Sequence, residues 1–210
     1  MNEQEFDIAL VTAAMKMAGE QGWGAVSVLA AARAAGLPLD RARARFPGRH
    51  RVLTALGRMA DQAALADPAP EGTARDRIFD LLMRRMDVFQ AHRDGVLALM
   101  RALPGEPATA ALLACATQRS MGWMLDAAGI SSAGLRGALR VRGLMAVWLW
   151  AMRAWQTDES ADLSATMAAL DTALARAEPM ANWLNGVATP APAPSNTAGT
   201  EPTPATAPVP

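Results

Sequence analysis

The side chains able to do chemistry are sparse along this chain, and one set of them is concentrated. Seven arginines, Arg33, Arg41, Arg43, Arg45, Arg49, Arg51 and Arg58, stand against a single acid, Asp40, in the segment they span, which therefore carries +6; the chain as a whole is neutral, so −6 falls on the remainder. Guanidinium groups pair bidentately with phosphates and with guanine edges, so the chemistry on offer is recognition of a polyanion. Bond-making sets are missing from the pattern. His50 and His92 lie far from any carboxylate or cysteine at metal-ligand spacing, and Cys115 is the only thiol. No glycine-rich phosphate loop, Ser-His-Asp set or carboxylate dyad is present. The expectation is a protein that is not an enzyme, with no catalytic residue, no metal and no cofactor.

Positioning those arginines requires short helices. From Ser27 to Leu56 the sequence reads as an alanine-rich helix, a turn at Gly36, a helix carrying Arg41, Arg43 and Arg45, a break at Phe46-Pro47-Gly48 and a helix opening on Arg49. Two short helices joined by a glycine-containing turn form a helix-turn-helix, whose second helix can enter a major groove. On that helix Arg41 and Arg45 should share one side with Arg49, with Arg43 on the flank. Ser27 suits an N-cap and Pro38 a first helical turn.

The rest of the chain predicts an all-α fold, because Ala, Leu, Met and Arg dominate, tyrosine is absent and no period-2 run stands out. Phe6, Leu10, Ala13/Ala14 and Met17 mark a first amphipathic helix. About nine helices follow in all, four before Asp67 and five after. The expected division is a helix-turn-helix domain over 1–48, a connecting helix over 49–66, a larger ligand-binding and dimerisation domain over 67–186, and a disordered Pro/Ala/Thr-rich tail over 187–210. The acidic start MNEQEFD does not suit a secretory signal, and the longest uncharged apolar run, Gly143 to Met152, is about half of a membrane span. With one cysteine, a cytoplasmic protein is expected.

Two patterns in the second half point beyond packing. Methionine and aromatic residues concentrate there, and Met86, Phe89, Met100, Met121, Trp123, Met124, Trp148 and Met152 are the candidates to line a pocket for a small hydrophobic ligand. Leu163, Met167, Leu170 and Leu174 recur at spacings of four and three on the last helix, a seam that packs on another helix of the same chain or of a second copy in a homodimer.

At the helix-turn-helix the chain resembles the tetracycline-repressor (TetR) family of regulators. Ser27 takes that family's threonine place, Ala31-Ala32 its Ile-Ala, Ala35-Gly36-Leu37-Pro38 its turn, Phe46-Pro47 its Phe-Pro, Arg49 its lysine and Val52-Leu53 its leucine pair; Arg41-Ala42-Arg43 replaces Thr-Leu-Tyr. The resemblance implies an operator-binding, ligand-sensing homodimer, with DNA contacts at Ser27, Arg41, Arg43, Arg45 and Arg49. The second half is also similar to the Coq-nine-type lipid-binding accessory proteins of ubiquinone biosynthesis. Trp123, Ala128-Gly129, Ser132, Arg140, Leu144, Asp158-Glu159-Ser160, Thr166 and Leu170-Asp171 carry that likeness. It implies a vestigial helix-turn-helix and, as partners, an anionic membrane surface or an isoprenoid lipid.

Overall fold

A computed structural model describes residues 1–68 and 71–185. Over those residues the chain forms nine α-helices and no strand: α1 (Glu3–Gln21), α2 (Val28–Ala34), α3 (Leu39–Arg45), α4 (Arg49–Leu65), α5 (Ala74–Gln90), α6 (Arg93–Ala102), α7 (Pro107–Ala127), α8 (Gly134–Thr157) and α9 (Ser164–Asn185). Single 3-10 turns at Trp23–Ala25 and Leu103–Gly105 join α1 to α2 and α6 to α7. The expected tail over 187–210 lies outside the described residues.

Local signals account for the helix boundaries. Asn2 and Glu5 close a reciprocal capping box on α1, and Thr73 and Asp76 close another on α5, after the proline-rich break that separates it from α4. Gly36 holds φ +65 in the turn between α2 and α3, a left-handed conformation that glycine takes without a steric penalty. Ser27 occupies the N-cap position of α2, but its hydroxyl makes no capping hydrogen bond, and Pro38 caps α3 without one.

The first three helices and their connections bury Phe6, Leu10, Trp23, Ala31, Ala32 and Phe46, a small core in which Phe6, Trp23 and Phe46 are the aromatic anchors. That bundle is not sealed off from the rest. Buried apolar residues form a contiguous cluster from Phe6 to Leu174, and α1 lies tightly on α6: a Cβ placed on Gly95 would sit 2.3 Å from the Met15 carbonyl oxygen. α4 then runs into the body, packed on α5 and α7.

The body places two sets of expected residues. Leu163, Leu170 and Leu174 are buried, and Met167 is half-buried, within their own chain, because the short connection after α8 folds α9 back along it. A repeat of three and four says that a helix has a partner, not which chain supplies it. The proposed pocket residues lie mostly in the interior. Met86, Met121, Met124, Trp148 and Met152 are packed core, Phe89 and Met100 are half-buried, and Trp123 points outward with 66% of its surface exposed. Where a pocket was expected, the Arg85 guanidinium fills the interior, 5.5 Å from the Phe89 ring centre and 5.3 Å from that of Trp148.

Candidate DNA-facing surface and apolar groove

α2, the Gly36 turn and α3 form a helix-turn-helix at the chain's N-terminal end, but its arginines do not share a free side. Arg45 is turned back onto α1: its Nε donates to Asp7 Oδ1 at 2.7 Å and its Nη2 to Asp7 Oδ2 at 2.8 Å, while Nη1 lies 3.0 Å from Glu3. The hydrogen bonds from Arg45 to Asp7 raise its already high pKa, holding it charged. Arg41 lies 4.6 Å above the Phe6 ring, a cation–π contact with the same helix.

Arg49 faces the body. Its Nη2 donates to Glu106 Oε1 at 2.9 Å, and its guanidinium lies 5.5 Å from the Trp23 ring centre. Glu106 also accepts from Thr109 Oγ1 at 2.7 Å and from Trp23 Nε1 at 3.3 Å; the Thr109 bond first, with the charge of Arg49, holds its carboxyl below the usual range. Arg43 is exposed and donates from Nη1 to the Pro47 carbonyl at 2.9 Å.

Glu3, Asp7 and Glu106 therefore set three negative charges against the seven arginines and Asp40, leaving a net of +3 in place of +6. The free side of α3 presents Leu39, Asp40, Arg43 and Ala44. Arg33 at the end of α2 and Arg51 in the first turn of α4 are exposed, with no ion pair among the described residues. Arginine spacing alone could not reveal the counter-ions. Glu3 and Asp7, four apart on α1, were visible as one acidic face, but their meeting with α3 depends on how the two helices cross.

A second feature lies at the other end of the body. A groove of about 670 Å³ opens between α5, α8 and α9. Its apolar surface comes from Ile78, Leu125, Ile130, Leu144, Val147 and Leu174, with Leu139, Trp150 and Met180 more exposed. None of the eight residues expected to line a pocket lies here; Leu174, expected at a dimer interface, does. The sequence signal was available as Leu139, Gly143, Ala146 and Trp150, which follow one helical face and place two small residues between large ones. The described residues contain no group of three or more His, Cys, Asp or Glu side chains able to hold a metal ion, and no described helix is long and apolar enough to cross a membrane.

The fold has clear counterparts among solved structures. The chain is similar to a TetR transcriptional regulator from Nitrosomonas europaea (TM-score 0.68, 23% identity, 85% of this chain and 99% of that one). It is also similar to a TetR-family transcriptional regulator from Streptomyces coelicolor (TM-score 0.55, 23% identity, 89% and 90%). A TetR transcriptional regulator from a Rhodococcus species gives a TM-score of 0.50 at 17% identity, over 82% and 97%. The all-α arrangement of a small N-terminal bundle and a larger helical body is thus the TetR-like fold. No protein-family model matches the sequence, and no curated protein matches it.

Proposed function

We propose that the protein is a TetR-type regulator that binds operator DNA through α2 and α3 and takes a small hydrophobic ligand in the groove between α5, α8 and α9. The observation that carries this reading is the helix-turn-helix of α2 and α3, with Arg33 and Arg43 exposed on it and Arg51 exposed on the adjoining first turn of α4. Arg41, Arg45 and Arg49 serve a different purpose from the one their spacing suggested: they fasten the unit to α1 and α7, and Arg45 and Arg49 contribute to DNA only if a phosphate replaces a carboxylate. The Arg45 pair borders an open cleft of about 210 Å³ shared with Glu3, Asp7 and Arg58, so such an exchange needs no unfolding. α4 joins the two functions, since it begins at Arg49 and reaches Asp61, which is held by Arg85 of α5 and Ser120 of α7. A ligand acts on DNA affinity only through its preference for one arrangement of these helices. Two copies on a palindromic operator are part of the proposal.

One observation favours a second reading, a lipid-binding accessory protein with a vestigial helix-turn-helix. The free side of α3 carries Asp40 and Leu39 beside a single arginine, and Leu149, Trp150 and Trp123 are exposed on the body. On that reading an anionic membrane or an isoprenoid lipid is the partner. Selection of genomic fragments at two salt concentrations separates the two. Sequence-selective enrichment that disappears in Arg43→Ala supports the regulator; weak, unselective retention together with binding to anionic vesicles supports the accessory protein.

A further inference from the structure

The groove between α5, α8 and α9 has a charge pattern as well as an apolar lining. Three guanidinium groups, Arg75, Arg140 and Arg176, border it against one carboxylate, Glu178. Arg75 is occupied, with Nη2 2.7 Å from Asp171 Oδ1 and Nη1 3.9 Å from Glu178. Arg140 donates from Nη1 to the Ser131 carbonyl at 2.9 Å. Arg176 is different. It is exposed, lies 5.8 Å from the Trp150 ring centre and has no carboxylate partner among the described residues. Between these cations the wall of α8 is cut low by Gly143 and Ala146, and none of the described residues lies within 4 Å of a Cβ placed on Gly143.

A channel with an apolar floor, small residues along its wall and an uncommitted cation at its rim fits one kind of molecule better than a compact apolar one. We propose that the groove binds a single-chain amphiphile with an anionic head, its head on Arg176 and its chain laid past Trp150 and Gly143 over Leu144, Val147 and Leu174. The volume, about 670 Å³, falls within the ordinary range for ligand sites, roughly 300–1,000 Å³. This inference rests on the groove being the ligand site proposed above, and adds the chemistry of its occupant.

The test is calorimetric titration of the full chain with octanoate, decanoate and dodecanoate, kept below their micellar concentrations, and with dodecanol, kept below its solubility limit. Each added methylene should tighten binding about fourfold, equivalent to about 0.8 kcal/mol. Dodecanoate should bind roughly tenfold more tightly than dodecanol, the scale of one charge-assisted hydrogen bond. Arg176→Gln should bring the acid down to the alcohol while leaving the alcohol unchanged. Gly143→Leu, whose Cβ has room and whose side chain would fill the groove, should abolish both.

Equal affinity for acid and alcohol, unmoved by Arg176→Gln, would overturn the anionic head and leave the groove as a ligand site. Failure of every probe to bind would remove the groove reading itself. Acid binding that survives Gly143→Leu would place the molecule elsewhere and overturn the inference. So would a dimer, seen by sedimentation, that excludes the probes because a second copy covers the groove.

Discussion

Changing Asp61 to Asn should be among the most damaging single substitutions in the body. Arg85 is 3% exposed, its guanidinium lies beside the paired rings of Phe89 and Trp148, its Nε has no hydrogen-bond partner among the described residues, and the carboxylate of Asp61 on α4 meets its Nη1. Burial lowers the Arg85 pKa to about 10, still far above neutrality, so the group stays charged with or without its partner. Removing one member of such a pair typically costs about 3–5 kcal/mol, because the other is left desolvated and uncompensated. Asp61 is itself partly exposed, which favours the lower end, near 3 kcal/mol. In a chain of this size that corresponds to a fall in Tm of roughly 6–12 °C.

The pair as a unit should nevertheless be dispensable. Arg85→Met combined with Asp61→Leu replaces it with apolar groups and should recover most of the loss, since well-packed hydrophobic replacements of buried ion pairs are often neutral. Urea unfolding of the two single variants and the double variant closes the cycle and isolates the coupling. An Asp61→Asn variant within about 1 kcal/mol of the parent, or a double variant no better than Asp61→Asn, would refute this account of how α4 is held to the body.

Other perturbations test separate parts of the structure. Asp158 is buried, which alone would raise its pKa, but hydrogen bonds from Ser160 and Thr166, including 2.7 Å contacts from the Thr166 N–H and hydroxyl at the start of α9, outweigh burial and lower it. A depressed carboxyl pKa stabilises the fold fully above the ordinary range, near pH 4, and loses that contribution as the pH falls below it. Asp158→Ala should therefore cost about 1.5–3 kcal/mol at pH 7 and flatten the acid limb of a Tm–pH profile. Gly95→Ala drives a Cβ against the Met15 backbone and should cost about 1–3 kcal/mol by thermal unfolding, despite the better helix propensity of alanine. Asp7→Asn frees Arg45 from its bidentate partner; in DNA titrations across a salt series the slope of log affinity against log salt should steepen by ~0.9 for the added phosphate contact.

The helical layout was readable from residues because its signals are local. Phe6, Leu10 and Ala14 repeat along one face of α1, Phe46-Pro47-Gly48 ends α3, and Pro68 follows the end of α4; each acts within a turn or two of its own position. What escaped the sequence is what depends on helices crossing. Arg45 meets Asp7 across 38 positions and Arg49 meets Glu106 across 57, so a charge count taken within one segment overstated its field. The Met and Trp cluster was ambiguous for another reason: the residues that fill a core are those that line a cavity, and composition does not say whether space is left between them. Arg85, an arginine in an otherwise ordinary amphipathic helix, is what fills it. The groove lies instead where Gly143 and Ala146 withhold side chains.

A regulator must engage DNA through the cations that its helix-turn-helix leaves exposed. The direct measurement is the salt dependence of binding to a fragment recovered by genomic selection, for the parent chain and for Arg33→Ala, Arg43→Ala and Arg51→Ala singly and together. Each phosphate contact removed should reduce the slope by ~0.9, and the triple variant should bind more weakly at every sequence. Slopes that do not change across the set, or no fragment selected above background by the parent, would contradict a regulator and leave the TetR-like fold in the service of the groove alone.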